Sequence, residues 1–210
     1  MEHTIPPIYP ITDTTLSGIP IPEQVERSIA GGATLIQLRD KLASSSEFYK
    51  AAVHSVRIAH EAKVRIIVND RADIAMMSGA DGVHLGQADL PPAHVREIMG
   101  PNAIIGLSTH DLAQVKAALA EPVDYIAFGP IFPTLTKEKP DPTVGLALLK
   151  EARRVANDLP LVAIGGLNED NIASVFEAGA DSVAVISAVM SDPEQISARM
   201  RILLAIKSAD

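Results

Sequence analysis

The chain has 210 residues, 47% of them hydrophobic, and a formal charge of -8, so it is expected to form one domain over residues 1–210, without the basic face that a general nucleic-acid surface requires. It contains no cysteine, which excludes disulfides and thiolate metal sites, and aromatic residues make up only 3%, which argues against platforms for stacked bases. The opening MEHTIPPIYP has neither a basic leader nor an apolar core, and no apolar run approaches the roughly 20 residues that span a bilayer, so a cytoplasmic protein without membrane contact is expected.

The first apolar run, IYPITD from Ile8, is followed by a helical pattern, EQVERSIAGG, that stops on paired glycines. TLIQLRD from Thr34 ends among Gln37, Arg39, Asp40 and Lys41 and leads into SEFYKAAVHSVRIAHEA, which has helical periodicity. VRIIVND from Val64 ends in Asn69, Asp70 and Arg71; DGVHLG from Asp81 runs on to His84, Gly86, Gln87 and Asp89. AIIGLS from Ala103 ends at Ser108, Thr109 and His110, before the helical DLAQVKAALAE. DYIAFGP from Asp124 passes into Pro130–Thr143, PIFPTLTKEKPDPT, which is too proline-rich and polar for strand or helix and is expected to be a long mobile loop. LVAIGG from Leu161 ends at Gly165 and Gly166, NEDNIASVFEAGA is helical, and DSVAVIS from Asp181 ends at Ile186 and Ser187. The phrase Gly-Ala-Asp before the fourth and eighth runs marks the same helix-to-strand corner twice and hints at internal repetition.

Continuous apolar runs separated by helices are the pattern of a parallel sheet covered on both faces, and this number of them favours an α/β fold closed as a (β/α)8 TIM barrel over an open doubly wound sheet. Such barrels place their sites at the C-terminal strand ends. Asp70 and Asp89 follow neighbouring strands, where two carboxylates suit one hard cation, best magnesium; each aspartate also suits a helix cap. Arg39, Lys41 and Lys137 fit neutralisation of a pyrophosphate, or a solvated basic rim with Arg39 paired to a neighbouring aspartate. Ser108 fits a phosphate hydroxyl or a helix N-cap. Gly165–Gly166 and Ile186–Ser187 fit a phosphate cradle or plain tight turns, and Thr134, Thr136 and Lys137 fit a lid or a loop with no ligand role. His84 and His110 read as hydrogen-bonding spacers, because no serine or cysteine nucleophile accompanies them.

The phrases Q-L-R-D-K at Gln37–Lys41, N-D-R at Asn69–Arg71, G-V-H-L-G-Q-x-D at Gly82–Asp89, S-T-H-D at Ser108–Asp111, G-P-I-F-P-T-x-T-K at Gly129–Lys137, A-I-G-G at Ala163–Gly166 and V-A-V-I-S-A at Val183–Ala188 occur in that order. In them the chain resembles the thiamine phosphate synthase family, from about Tyr9 to about Val189. The resemblance implies a magnesium-dependent transferase that condenses 4-amino-2-methyl-5-(diphosphooxymethyl)pyrimidine with a thiazole phosphate and releases pyrophosphate, by way of a pyrimidine carbocation. It implies pyrimidine-pyrophosphate contacts from Gln37, Arg39, Lys41, Asn69, Ser108 and Lys137, and magnesium at Asp70 and Asp89. Thiazole-phosphate contacts would come from Thr134, Thr136, Gly165, Val185 and Ile186, and Leu38, Asp40 and Leu135 belong to the implied binding segments. Arg39, Lys41, Ser108 and Lys137 would carry the catalytic roles. The partners implied are these small molecules; homo-oligomeric assembly stays open. A paralogous tautomerase group shares the barrel and the thiazole-phosphate cradle, but Lys41, Asp70, Asp89 and Lys137 together favour the synthase. A non-catalytic sensor would need a partner-binding stripe or tail, which the sequence does not offer.

Overall fold

The β-branched and aliphatic runs fold as eight short strands: β1 (Ile8–Pro10), β2 (Leu35–Leu38), β3 (Arg65–Asn69), β4 (Gly82–Leu85), β5 (Ile104–Thr109), β6 (Tyr125–Phe128), β7 (Leu161–Ile164) and β8 (Ser182–Val185). Between and after them lie helices α1 (Thr14–Ser17), α2 (Ile21–Ala30), α3 (Ser45–Glu61), α4 (Ala72–Ser78), α5 (Pro92–Met99), α6 (Leu112–Ala118), α7 (Gly145–Ala156), α8 (Ile172–Glu177), α9 (Ser187–Met190) and α10 (Ile196–Lys207). The computed structural model describes residues 4–134 and 142–207. None of its described helices is long and apolar enough to cross a membrane.

All ladders are parallel, in the order β1-β8-β7-β6-β5-β4-β3-β2. The remaining seam is closed by one bridge, Ile11 with Gln37, in which the Thr12 amide donates to the Gln37 carbonyl at 2.9 Å. The Arg39 amide then donates to Thr12 Oγ1 at 2.9 Å. The expected (β/α)8 TIM barrel is therefore the fold.

Successive strand residues face opposite sides, so the core has two layers. Tyr9, Leu35, Ile67, Ile104, Tyr125, Ala127, Val162 and Ala184 fill the barrel, while Ile36, Leu38, Ile66, Val68, Val83, Ile105, Ile126, Val183 and Val185 pack outward against the helices. At the end remote from the site, an aspartate immediately before β4, β6 and β8 repeats one arrangement. Asp81, Asp124 and Asp181 donate their amides to the carbonyls of Ile66, Ile105 and Leu161. Their Oδ2 atoms accept the amides of those same residues, each at 2.7 Å. A side chain from the helix just before the partner strand closes each knot: His60 of α3, Arg96 of α5 and Arg153 of α7. The corner that the Gly-Ala-Asp phrase marks twice thus occurs three times; Pro-Val-Asp at Pro122–Asp124 hides the third.

Candidate active site

The C-terminal strand ends open into a cavity of about 610 Å³, within the range of sites that hold small molecules. Gln37, Arg39, Lys41, Asn69, Asp70, Asp89, Ser108, Thr134, Gly165 and Ile186 all line it. Leu135, Thr136 and Lys137 lie outside the described residues, as does half of the expected loop; its beginning is tied down, since the Ile131 amide donates to the Ile164 carbonyl at 2.9 Å and that of Phe132 to Gly165 at 3.0 Å.

The cations reach the cavity from β2. Arg39 extends Nη1 to Asp13 Oδ2 at 2.7 Å, the pairing with an aspartate that the sequence left open. Asp13 is itself fixed as the N-cap of α1, accepting from the Leu16 amide at 3.0 Å. Lys41 pairs through Nζ with Asp70 Oδ2. Between them, Asp40 turns away from the cavity and holds the turn, accepting from the Leu42 and Ala43 amides at 3.0 Å and from the Thr14 hydroxyl at 3.0 Å. Leu38 and Val185 are buried in the outward layer and are not among the residues that line the cavity.

Neither aspartate of the expected metal pair caps a helix. Asp70 takes a left-handed backbone, φ 60°, a conformation that aspartate tolerates better than most residues, and α4 starts without a side-chain cap. Asp89 Oδ2 accepts the Gly86 amide at 2.7 Å, and α5 likewise has no side-chain cap. Burial holds the Asp89 carboxyl above the usual carboxylate range; the Gly86 amide opposes this, and the charge and hydrogen bond of the adjacent Asp70 carboxyl reinforce it. Two carboxyl groups in contact, with cavity space beside them, suit a hard divalent cation that takes its other oxygens from water and phosphate. No cluster of three or more His, Cys, Asp or Glu suited to a metal occurs among the described residues.

Ser108 does not cap α6; Asp111 does, accepting the Gln114 amide at 2.8 Å. The serine hydroxyl instead contacts His84 Nε2 at 2.9 Å. His84 is wholly buried, and desolvation lowers its pKa to about 4 against the pull of the Asp70 carboxylate, so its imidazole is neutral near pH 7. Burial raises both the Tyr9 and Tyr125 phenols, which stay protonated. His110 uses Nδ1 to donate to the Gly129 carbonyl at 2.8 Å. Both histidines are therefore tied into the framework.

Opposite the cations, Gly165 and Gly166 have φ of 101° and 67°. A Cβ on Gly165 would lie 2.5 Å from Pro130, and one on Gly166 would lie 2.6 Å from the Pro133 carbonyl oxygen. Glycine is required here by backbone angle and by the close approach of the neighbouring loop, and it leaves main chain at the cavity wall. Ile186 immediately precedes the short α9, and Ser187, its first residue, also lines the cavity. His84 and Gln87, singled out at the end of the fourth run, also line the wall, whereas Tyr9 and Gln114 were not read from the sequence as wall residues. Inward parity on β1 was the available signal for Tyr9.

A family model described as thiamine monophosphate synthase matches residues 8–189. The thiamine-phosphate synthase of Methanocella arvoryzae is 45% identical over 202 residues, 96% of this chain and 94% of that protein. That of Persephonella marina is 46% identical over 193 residues, 91% of each. The solved structure of thiamine phosphate pyrophosphorylase from Pyrococcus furiosus superposes with a TM-score of 0.87 at 36% identity, covering 97% of this chain and 96% of that one.

Proposed function

Because the chain belongs to the thiamine monophosphate synthase family and acts as a thiamine-phosphate synthase in thiamine biosynthesis, we propose that its cavity joins a pyrimidine methyl diphosphate to a thiazole phosphate with magnesium and releases pyrophosphate. The observation that carries this reading is the division of one cavity: Arg39, Lys41, Asp70 and Asp89 gather on one side, while the main chain of Gly165 and Gly166 lines the other.

In the reaction, the bond from the pyrimidine methylene carbon to the diphosphate oxygen breaks, and its electron pair leaves with pyrophosphate. The thiazole nitrogen then bonds to the carbon with its lone pair. No proton has to be removed from either partner, so a site whose buried histidine is neutral and bonded is adequate. The protein's work is to neutralise the leaving group and to hold the two partners in line. Arg39 and Lys41 would meet the diphosphate as a planar fork and a point charge, Ser108 would donate to it, and Lys137 is proposed to join them from the loop. Asp70 and Asp89 would hold the magnesium ion, which when bound supplies further positive charge to the diphosphate oxygens. Gly165 and Ile186, with Thr134 beside them, would hold the thiazole phosphate. Ile11, Ala127, Val162 and Ala184 give the floor an apolar lining that keeps water from the electrophilic carbon.

One assay with both substrates, with and without magnesium, following thiamine phosphate and pyrophosphate together, tests the proposal. Equal release of the two products, dependent on magnesium, is expected. Pyrophosphate without thiamine phosphate, or full activity in chelator, would overturn it.

A further inference from the structure

Beneath the cavity the barrel holds a continuous line of polar groups. Gln37 Nε2 donates to Tyr9 Oη at 3.0 Å, Tyr9 Oη lies 2.9 Å from Tyr125 Oη, Tyr125 Oη lies 2.9 Å from His84 Nδ1, and His84 Nε2 lies 2.9 Å from Ser108 Oγ. The line is built into the sheet. In the strand register Gly106 stands between His84 and Tyr125. A Cβ on Gly106 would lie 2.1 Å from the Tyr125 ring and 2.5 Å from His84 Nδ1, so the missing side chain is what lets phenol and imidazole meet. The two rings stack at 5.5 Å with an interplanar angle of 26°.

Counting protons gives the line a direction, because buried hydroxyls need acceptors. Gln37 fills one lone pair of Tyr9, and the remaining neighbour of the Tyr9 hydroxyl proton is Tyr125. Tyr125 then receives that proton and must send its own to His84 Nδ1. An imidazole that accepts at Nδ1 carries its hydrogen on Nε2 and donates it to Ser108 Oγ. A doubly protonated ring would leave a tyrosine proton without an acceptor. Ser108 ends the line as an acceptor, and its own proton is left to point into the cavity.

We propose that His84 is a positioning residue: through the directed line Gln37–Tyr9–Tyr125–His84 it commits the Ser108 hydroxyl to donate to a phosphoryl oxygen of the bound diphosphate. The anion-facing role of Ser108 rests on the function proposed above. The direction of the line does not. With the order reversed, Ser108 would spend its proton on His84 and present only lone pairs to an anion, so direction decides whether the serine attracts or repels the ligand.

The test has two arms. Imidazole ¹⁵N resonances of the unliganded wild-type protein, with His84 identified by its loss in His84→Gln, should show hydrogen on Nε2 and a bare Nδ1; hydrogen on Nδ1 would overturn the direction whatever the enzyme's activity. Inorganic diphosphate binding by calorimetry should weaken about tenfold for Ser108→Ala and comparably for Tyr125→Phe, with less than a twofold further loss in the double variant, the behaviour of residues acting as a unit. Independent, multiplying losses would overturn the positioning role. Failure of the two-substrate assay alone, with both arms as expected, would instead count against the synthase chemistry.

Discussion

Asp13 holds Arg39 at 2.7 Å from a position where the carboxylate is 8% and the guanidinium 18% exposed, so the cation offered to the cavity is already anchored at one of its nitrogens. Arginine has donors left over for a ligand; lysine has one nitrogen for both tasks. Arg39→Lys should lower kcat/KM for the pyrimidine diphosphate roughly tenfold to a hundredfold, matching the loss of one charge-assisted hydrogen bond of about 1.5–3 kcal/mol. Steady-state kinetics at saturating thiazole phosphate measures it, and an unchanged value would make Arg39 a framework residue only.

Asp70→Asn and Asp89→Asn should each raise the magnesium concentration needed for half-maximal activity, since an amide supplies less charge to a hard cation. The double variant should be little worse than either single one, because the first replacement already disables a shared site. Magnesium titrations of all three variants decide this. An unshifted requirement in both single variants would remove the shared ion.

The neutral, buried His84 makes stability depend on pH with a defined sign. Its folded pKa of about 4 lies below an unfolded value near 6.5, so below 6.5 the unfolded chain binds a proton that the folded protein refuses. Its contribution is constant above pH 6.5 and is lost as pH falls from 6.5 to 4, by about 3 kcal/mol in total. Denaturant unfolding at pH 7, 5 and 4 should show a steeper loss for wild type than for His84→Gln, in which other acid-sensitive groups are retained. Parallel losses would contradict the shift.

Asp124 lies at the opposite end from the cavity, where one oxygen serves the Ile105 amide and Arg96, both at 2.7 Å. Asp124→Ala leaves that amide and guanidinium short of an acceptor and should cost about 2 kcal/mol of stability, after allowance for partial exposure. Turnover per folded molecule should stay the same. A kcat loss well below the melting temperature would show that this end communicates with the site.

Gly166→Ala forces a side chain onto φ 67° and into the Pro133 carbonyl. The angle alone costs roughly 1–2 kcal/mol. Displacement of Phe132 and Pro133 should raise KM for the thiazole phosphate more than KM for the pyrimidine diphosphate. Equal changes in both would mean general damage to the barrel.

The strands were readable because a parallel sheet buried on both faces leaves uninterrupted apolar runs, and polar residues such as Asn69 and Ser108 at their ends point to the cavity. What escaped depends on register and side. Leu38 sits between Gln37 and Arg39, and Val185 between Ala184 and Ile186; alternation sends both outward, although motif matching groups them with their neighbours. The line through Tyr9, Tyr125 and His84 joins three strands distant in sequence, and only the sheet register brings the rings together. Asp70 looks like a helix cap in sequence because its left-handed backbone leaves no local trace.

The three aspartate knots act like hoops around the lower rim of a cask, each binding a pair of staves, and the pattern has a gap. The position equivalent to Asp81, Asp124 and Asp181, immediately before β2, is the exposed Thr34. The residue opposite it in the β1–β2 register is Ile8, and threonine offers the Ile8 amide no carboxylate. That same joint, β1 against β2, is the one closed by a single bridge at Ile11 and Gln37. The cask therefore opens along this line first, and the amide hydrogens that cross it, those of Thr12 and Arg39, exchange with solvent ahead of those of β4 to β7.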